Sequence, residues 1–169
     1  MLKRLATVLI AVCLVVLTLP ARAITPEDSA ILTKTIGCSG ETHICVIRGN
    51  DGGQFQYWLA AFPITFLHGI YLVIDNECNS GCELFAEWLS SNVCVTSNAT
   101  FGFHQAYNVE TDTYKQIPHN NLIQQLLDKK GGAPASREHE DLLVINSAEV
   151  LATGLWRHCE IENNRIVFK

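Results

Sequence analysis

The chain has 169 residues, 48% of them hydrophobic and 17% charged, which suits one packed domain and is too short for two ordinary ones. That balance excludes a disordered tail. A formal charge of −5 without a basic stripe argues against nucleic acid as a partner.

Lys3 and Arg4 precede an apolar stretch from Leu5 to Leu19, and Ala21-Arg22-Ala23 follows Pro20 as a small-x-small site. This pattern predicts a secretory signal peptide over residues 1–23, since the apolar run is shorter than the roughly 20 residues of a spanning helix. The mature chain, residues 24–169, then has no membrane anchor and is periplasmic or secreted. Cleavage leaves 9 basic against 17 acidic side chains, a formal charge of −8. It also removes Cys13 from the seven cysteines, leaving Cys38, Cys45, Cys78, Cys82, Cys94 and Cys159. An even set suits a disulfide framework in an oxidising compartment, and six cysteines leave the pairing open.

Thr25-Pro-Glu-Asp28 predicts a capped helix that ends at Gly37. The segment from His43 to Ile47 predicts a strand feeding the turn Gly49-Asn-Asp-Gly-Gly53. Gln54 to Phe62 predicts a helix stopped by Pro63, and Ile70 to Ile74 a strand covered on both faces. The polar stretch Asp75 to Asn79 reads as a connection, followed by helical spacing up to Ser90. Val93 to Val95 and Thr100 to Phe103 predict two short strands. A helix is expected over Asn120 to Lys130 with Gly131-Gly132 as its stop, then an exposed loop over residues 131–140. A short helix over Ser147 to Thr153 and a hairpin turning at Glu162-Asn-Asn164 complete the chain. Strand, helix, strand, helix, strand in the first half predicts one α/β domain with a largely parallel sheet and outer helices.

The segment Asp75-Asn-Glu-Cys-Asn-Ser-Gly-Cys-Glu83 carries the chemistry. It places Ser80 between a buried strand and a helix N-terminus, where a hydroxyl can act as nucleophile beside the Gly81 N–H. The competing reading is that Ser80-Gly-Cys-Glu83 is a capping box, with a serine that only caps. His104, after the strand Thr100 to Phe103, and Gly52-Gly53, after an earlier strand, end at positions that can face the same cleft.

Gly52-Gly53, Ser80 at a strand-to-helix turn and His104 at a strand end resemble the catalytic signature of the Clp protease proteolytic subunit, in the ClpP/crotonase superfamily. Cys78-Asn-Ser-Gly-Cys82, Val93-Cys-Val-Thr-Ser and Phe101-Gly-Phe-His104-Gln are similar to exported Clp-like bacterial proteins of unassigned function. Asn146-Ser-Ala-Glu-Val-Leu-Ala-Thr-Gly154-Leu resembles the family's final helix, so the likeness covers most of residues 45–160. It implies a ClpP/crotonase-like fold of repeated β-β-α units over residues 24–169.

It implies Ser80 as nucleophile, His104 as general base, and the Gly53 and Gly81 N–H groups as the oxyanion hole. The reaction implied is acyl transfer on a peptide or protein substrate, with self-association compatible with the family. The family's third member, an aspartate before the last helix, falls here on Leu143, and the nearest acid is Asp141. No cofactor and no metal are expected, since coenzyme A and ATP belong to the cytoplasm and Cys78, Cys82 and His104 make a scattered ligand set.

Two alternatives stay open. One is a catalytically silent Clp-like domain that binds a peptide or protein. The other is a thiol redox or metal protein using Cys78 and Cys82, although four-residue spacing is not C-x-x-C. A disulfide across that turn is geometrically demanding, and structural bridges, including Cys38 with Cys45, are preferred.

Overall fold

A computed structural model describes residues 23–136 and 141–169. The expected signal peptide, except Ala23, and residues 137–140 of the expected loop lie outside the described residues.

Helix α1 (Pro26–Ile36) begins at Thr25, whose hydroxyl accepts from Asp28 N while the Asp28 carboxylate accepts from Thr25 N. Gly37 ends it at φ 77°, a left-handed conformation that glycine adopts without steric cost. Strand β1 (Ile44–Asn50) leads through Gly52 and Gly53 into helix α2 (Phe55–Leu67). Pro63 does not stop this helix, contrary to the sequence expectation. Trp58, Ala61, Ile64 and Thr65 are buried on either side of it, and Phe62 packs edge-on against Phe85 and Trp88. The carbonyl that Pro63 cannot reach is that of Leu59, an exposed residue, so the break is tolerated on the solvent side.

Strand β2 (Tyr71–Asn79) is the centre of the molecule. It pairs with β1 over its length, while its other edge pairs first with β3 (Val93–Val95) and then with β4 (Thr100–Phe103), all in parallel. The polar stretch Asp75 to Asn79 is therefore strand and not a connection. Its polarity is matched across the sheet: Asp75 accepts from Thr96 Oγ1 at 3.0 Å and pairs with Arg48 at 3.3 Å. Helix α3 (Gly81–Trp88) follows directly.

The hairpin β5 (Ala106–Asn108) and β6 (Thr113–Lys115) was not predicted; Tyr107 faces Tyr114 across it. Helix α4 (Asn121–Lys129) is capped by Asn120 and followed by Gly131 and Gly132, as the sequence predicts. Strand β7 (Leu143–Asn146), also unpredicted, pairs antiparallel with β4 ahead of the short helix α5 (Ser147–Leu151). Strands β8 (Arg157–Glu162) and β9 (Arg165–Phe168) form the expected hairpin, with β8 parallel to β3. The fold is thus a mixed α/β domain whose large sheet runs β7-β4-β2-β3-β8-β9, with β1 on β2.

One hydrophobic core joins Leu32 and Trp58 from the helices to Leu72, Ile74, Phe101 and Phe103 from the sheet. Three disulfides link Cys38 to Cys45, Cys78 to Cys82 and Cys94 to Cys159. The second of these corrects the expectation that the turn resists bridging. The two Cα atoms come within 5.2 Å because the chain turns from strand into helix between them. Three bridges fit an extracellular or periplasmic protein. No helix among the described residues is long and apolar enough to cross a membrane.

Candidate active site

Ser80 occupies the residue between the end of β2 and the start of α3, with φ 53° and ψ −118°. Positive φ is costly for a residue with a side chain, on the order of 1–3 kcal/mol, and persists only where the surroundings impose it. Here Ser80 N donates to the Gly102 carbonyl at 2.7 Å, and Leu84 N donates to the Ser80 carbonyl. The hydroxyl makes no capping hydrogen bond, so Ser80-Gly-Cys-Glu83 is not a capping box. Instead Ser80 Oγ lies 2.7 Å from His104 Nε2. Both side chains are half-buried. His104 reaches this place because β4 pairs with the last residues of β2, Asn79 opposite Gly102.

Glycines surround the serine where a side chain does not fit. A Cβ on Gly52, itself at φ 87°, would lie 2.6 Å from Ser80 Cβ and 2.8 Å from Gly81 N. A Cβ on Gly81 would overlap the Trp58 indole, and one on Gly102 the Asn79 amide. Gly81 is the first residue of α3, so its N–H has no intrahelical acceptor. The Gly52 N–H is committed to Asn50 Oδ1 at 2.9 Å. The structure thus brings Gly52, Ser80, Gly81 and His104 together, and Gly53 follows Gly52 at φ 115° with open space where a side chain would stand.

Asp141 is not brought in. Its carboxylate accepts from Ser136 Oγ at 2.7 Å, and His104 Nδ1, a buried atom, has no partner among the described residues. Cys78 and Cys82 are fully buried and joined to each other, which leaves no thiol at this turn.

Behind the site lies a group that sequence reasoning missed. Glu83 and Glu87, one turn apart on α3, are buried against His119. His119 Nδ1 is 2.8 Å from Glu87 Oε1, and Glu87 Oε2 accepts from Asn120 N at 2.6 Å. Burial, then the Glu87 charge and a hydrogen bond to it, push the Glu83 carboxyl well above the usual range. One ligand atom from each of Glu83, Glu87 and His119 lies within 4.8 Å of the others, the group among the described residues best placed to hold a cation. The available signal was the i, i+4 carboxylate pair on an otherwise apolar helix.

No family model, no curated protein and no solved structure matches the chain.

Proposed function

We propose that the mature chain is an exported serine hydrolase, peptidase-like, in which Ser80 is the nucleophile and His104 the general base. The observation that carries this reading is the 2.7 Å contact between Ser80 Oγ and His104 Nε2 at a strand-to-helix turn. The ClpP/crotonase resemblance of the sequence is compatible with the parallel pairing of β2 with β1, β3 and β4 around that turn. The three disulfides support export and, with it, the signal peptide over residues 1–23.

In this reading Ser80 Oγ attacks an amide or ester carbonyl while His104 Nε2 takes its proton. The Gly53 and Gly81 N–H groups receive the developing oxyanion, and His104 returns the proton to the leaving group. Water, activated by the same imidazole, then releases the acyl group from Ser80.

A fluorophosphonate probe tests the proposal. The mature, disulfide-bonded protein is expected to be labelled, and Ser80→Ala and His104→Ala each to abolish labelling with the thermal melt unchanged. An unlabelled wild type overturns it. The second reading, a silent domain that binds a peptide in the same groove, draws on the unpartnered His104 Nδ1 and would then stand.

A further inference from the structure

The contact with Ser80 creates a demand on the other side of the His104 ring. To accept the serine proton Nε2 must be bare, so the ring hydrogen stands on Nδ1. Nδ1 is buried without a partner among the described residues. A buried donor left unmatched costs about 1–3 kcal/mol, and the demand grows when the ring becomes an imidazolium.

A cavity of about 10 Å³ adjoins His104 and is lined also by Gln105, Gln116, His119 and Gln124. That is about the smallest space that holds one water, and these polar side chains, set among Ile117, Leu127 and Ala133, can bind one. Beside the glutamine amides, His119 supplies an acceptor backed by a carboxylate. Its Nδ1 faces Glu87 Oε1 at 2.8 Å and so carries the hydrogen, which leaves Nε2 as a bare acceptor. The side chains of His119 and Glu87 are only 4% and 2% exposed, so the Glu87 charge is little screened.

We propose that His119, backed by Glu87, replaces the missing acid by accepting from His104 Nδ1–H through one water in this cavity. As the bond from Ser80 Oγ to the carbonyl carbon forms, the serine proton moves to His104 Nε2. The chain from Nδ1–H through water to His119 then holds the imidazolium until it passes the proton to the leaving group. His119 touches neither substrate nor reacting atoms and is a positioning residue. The hydrogen on Nδ1 and the catalytic meaning rest on the hydrolase reading, whereas the imidazole N–H signal reads the hydrogen-bond chain directly.

The test combines fluorophosphonate labelling rates with NMR of the imidazole N–H protons on the mature, disulfide-bonded protein. Wild type is expected to show a slowly exchanging His104 Nδ1–H signal. His119→Phe is expected to lose that signal and to label about 10²- to 10⁴-fold more slowly. His119→Gln, which restores an acceptor, should recover part of both even if the phenylalanine variant folds poorly. Asp141→Asn should change neither, and labelling should survive a chelator. A wild-type signal and rate in His119→Phe would overturn the proposal, as would loss of both in Asp141→Asn or on chelation. If wild type is not labelled, the hydrolase reading fails by itself. The His104 signal and its dependence on His119 then decide the chain separately.

Discussion

Ser80 holds its left-handed φ because three glycines let the surrounding backbone and side chains close on it. Gly81 is the most tightly constrained of them by a neighbour, since its missing Cβ is the space filled by the Trp58 indole, which is almost fully buried. Gly81→Ala is therefore expected to destabilise the fold by about 1–3 kcal/mol in denaturant melts. It should also cut fluorophosphonate labelling sharply, because relief of the overlap moves the Ser80 turn. A second residue-scale expectation concerns Glu83. Its folded-state pKa is raised above the ordinary 4.5, so above that pH the folded protein keeps a proton that the unfolded chain has lost. Stability then falls as pH rises from the ordinary value through the folded one. Glu83→Gln removes this titration, and its melting temperature should fall less than that of wild type as pH rises above the ordinary carboxylate range. A steeper fall in the variant would contradict the raised Glu83 pKa. Ser80, His104 and the glycines were legible in the sequence because each sits at a strand end. Glu87 and His119 were not, because they are 32 residues apart and meet only when the segment before α4 packs on α3.

Among the elements, β2 does more than its apolar half suggests. Ile70 to Ile74 marks the strand, but the pairing of Glu77, Cys78 and Asn79 with β4 carries it on to the Ser80 turn. Asp75, where the polar half begins, fits because the Arg48 and Thr96 side chains satisfy it, information that local periodicity does not contain. Pro63 makes the same point in reverse, as packing of Trp58, Ala61 and Ile64 overrides a strong local stop. Pro63→Ala is expected to raise stability, by up to about 3 kcal/mol on the helix propensity scale, in urea unfolding. The disulfides differ in what they close. Cys78–Cys82 spans four residues and Cys94–Cys159 spans 65, so by loop entropy their removal costs about 2 and about 4 kcal/mol respectively. Paired Cys→Ala variants measured by calorimetry should show that order. The Cys78 and Cys82 pair should still be the one whose loss changes labelling, because those cysteines flank Ser80.

Across the whole molecule the two ends of β2 serve different surfaces. Ser80 follows its carboxyl end, whereas Tyr71 at its start helps line an apolar groove of about 710 Å³ with Val46, Ile161, Ile166 and Phe168. Tyr71 and Phe168 meet edge-on at 5.8 Å. Phe168→Ala should cost the aromatic pair about 0.5–1.5 kcal/mol plus the buried area, with the labelling rate of Ser80 unchanged. A large change in that rate would show that the two regions are coupled.

From its own residues the sequence determined the elements that local chemistry specifies. These are the Thr25 cap, the Asn120 to Lys130 helix, the terminal hairpin and the serine at a strand-to-helix turn. Caps, glycine stops and apolar spacing act within a few residues, so they need no fold to be read. The tertiary structure decided the partners: which cysteines bridge, how far β2 extends, that the Ser80 hydroxyl meets His104 in place of capping, and that Asp141 bonds Ser136. Those outcomes depend on which distant segments come within bonding distance, and no spacing along the chain records that.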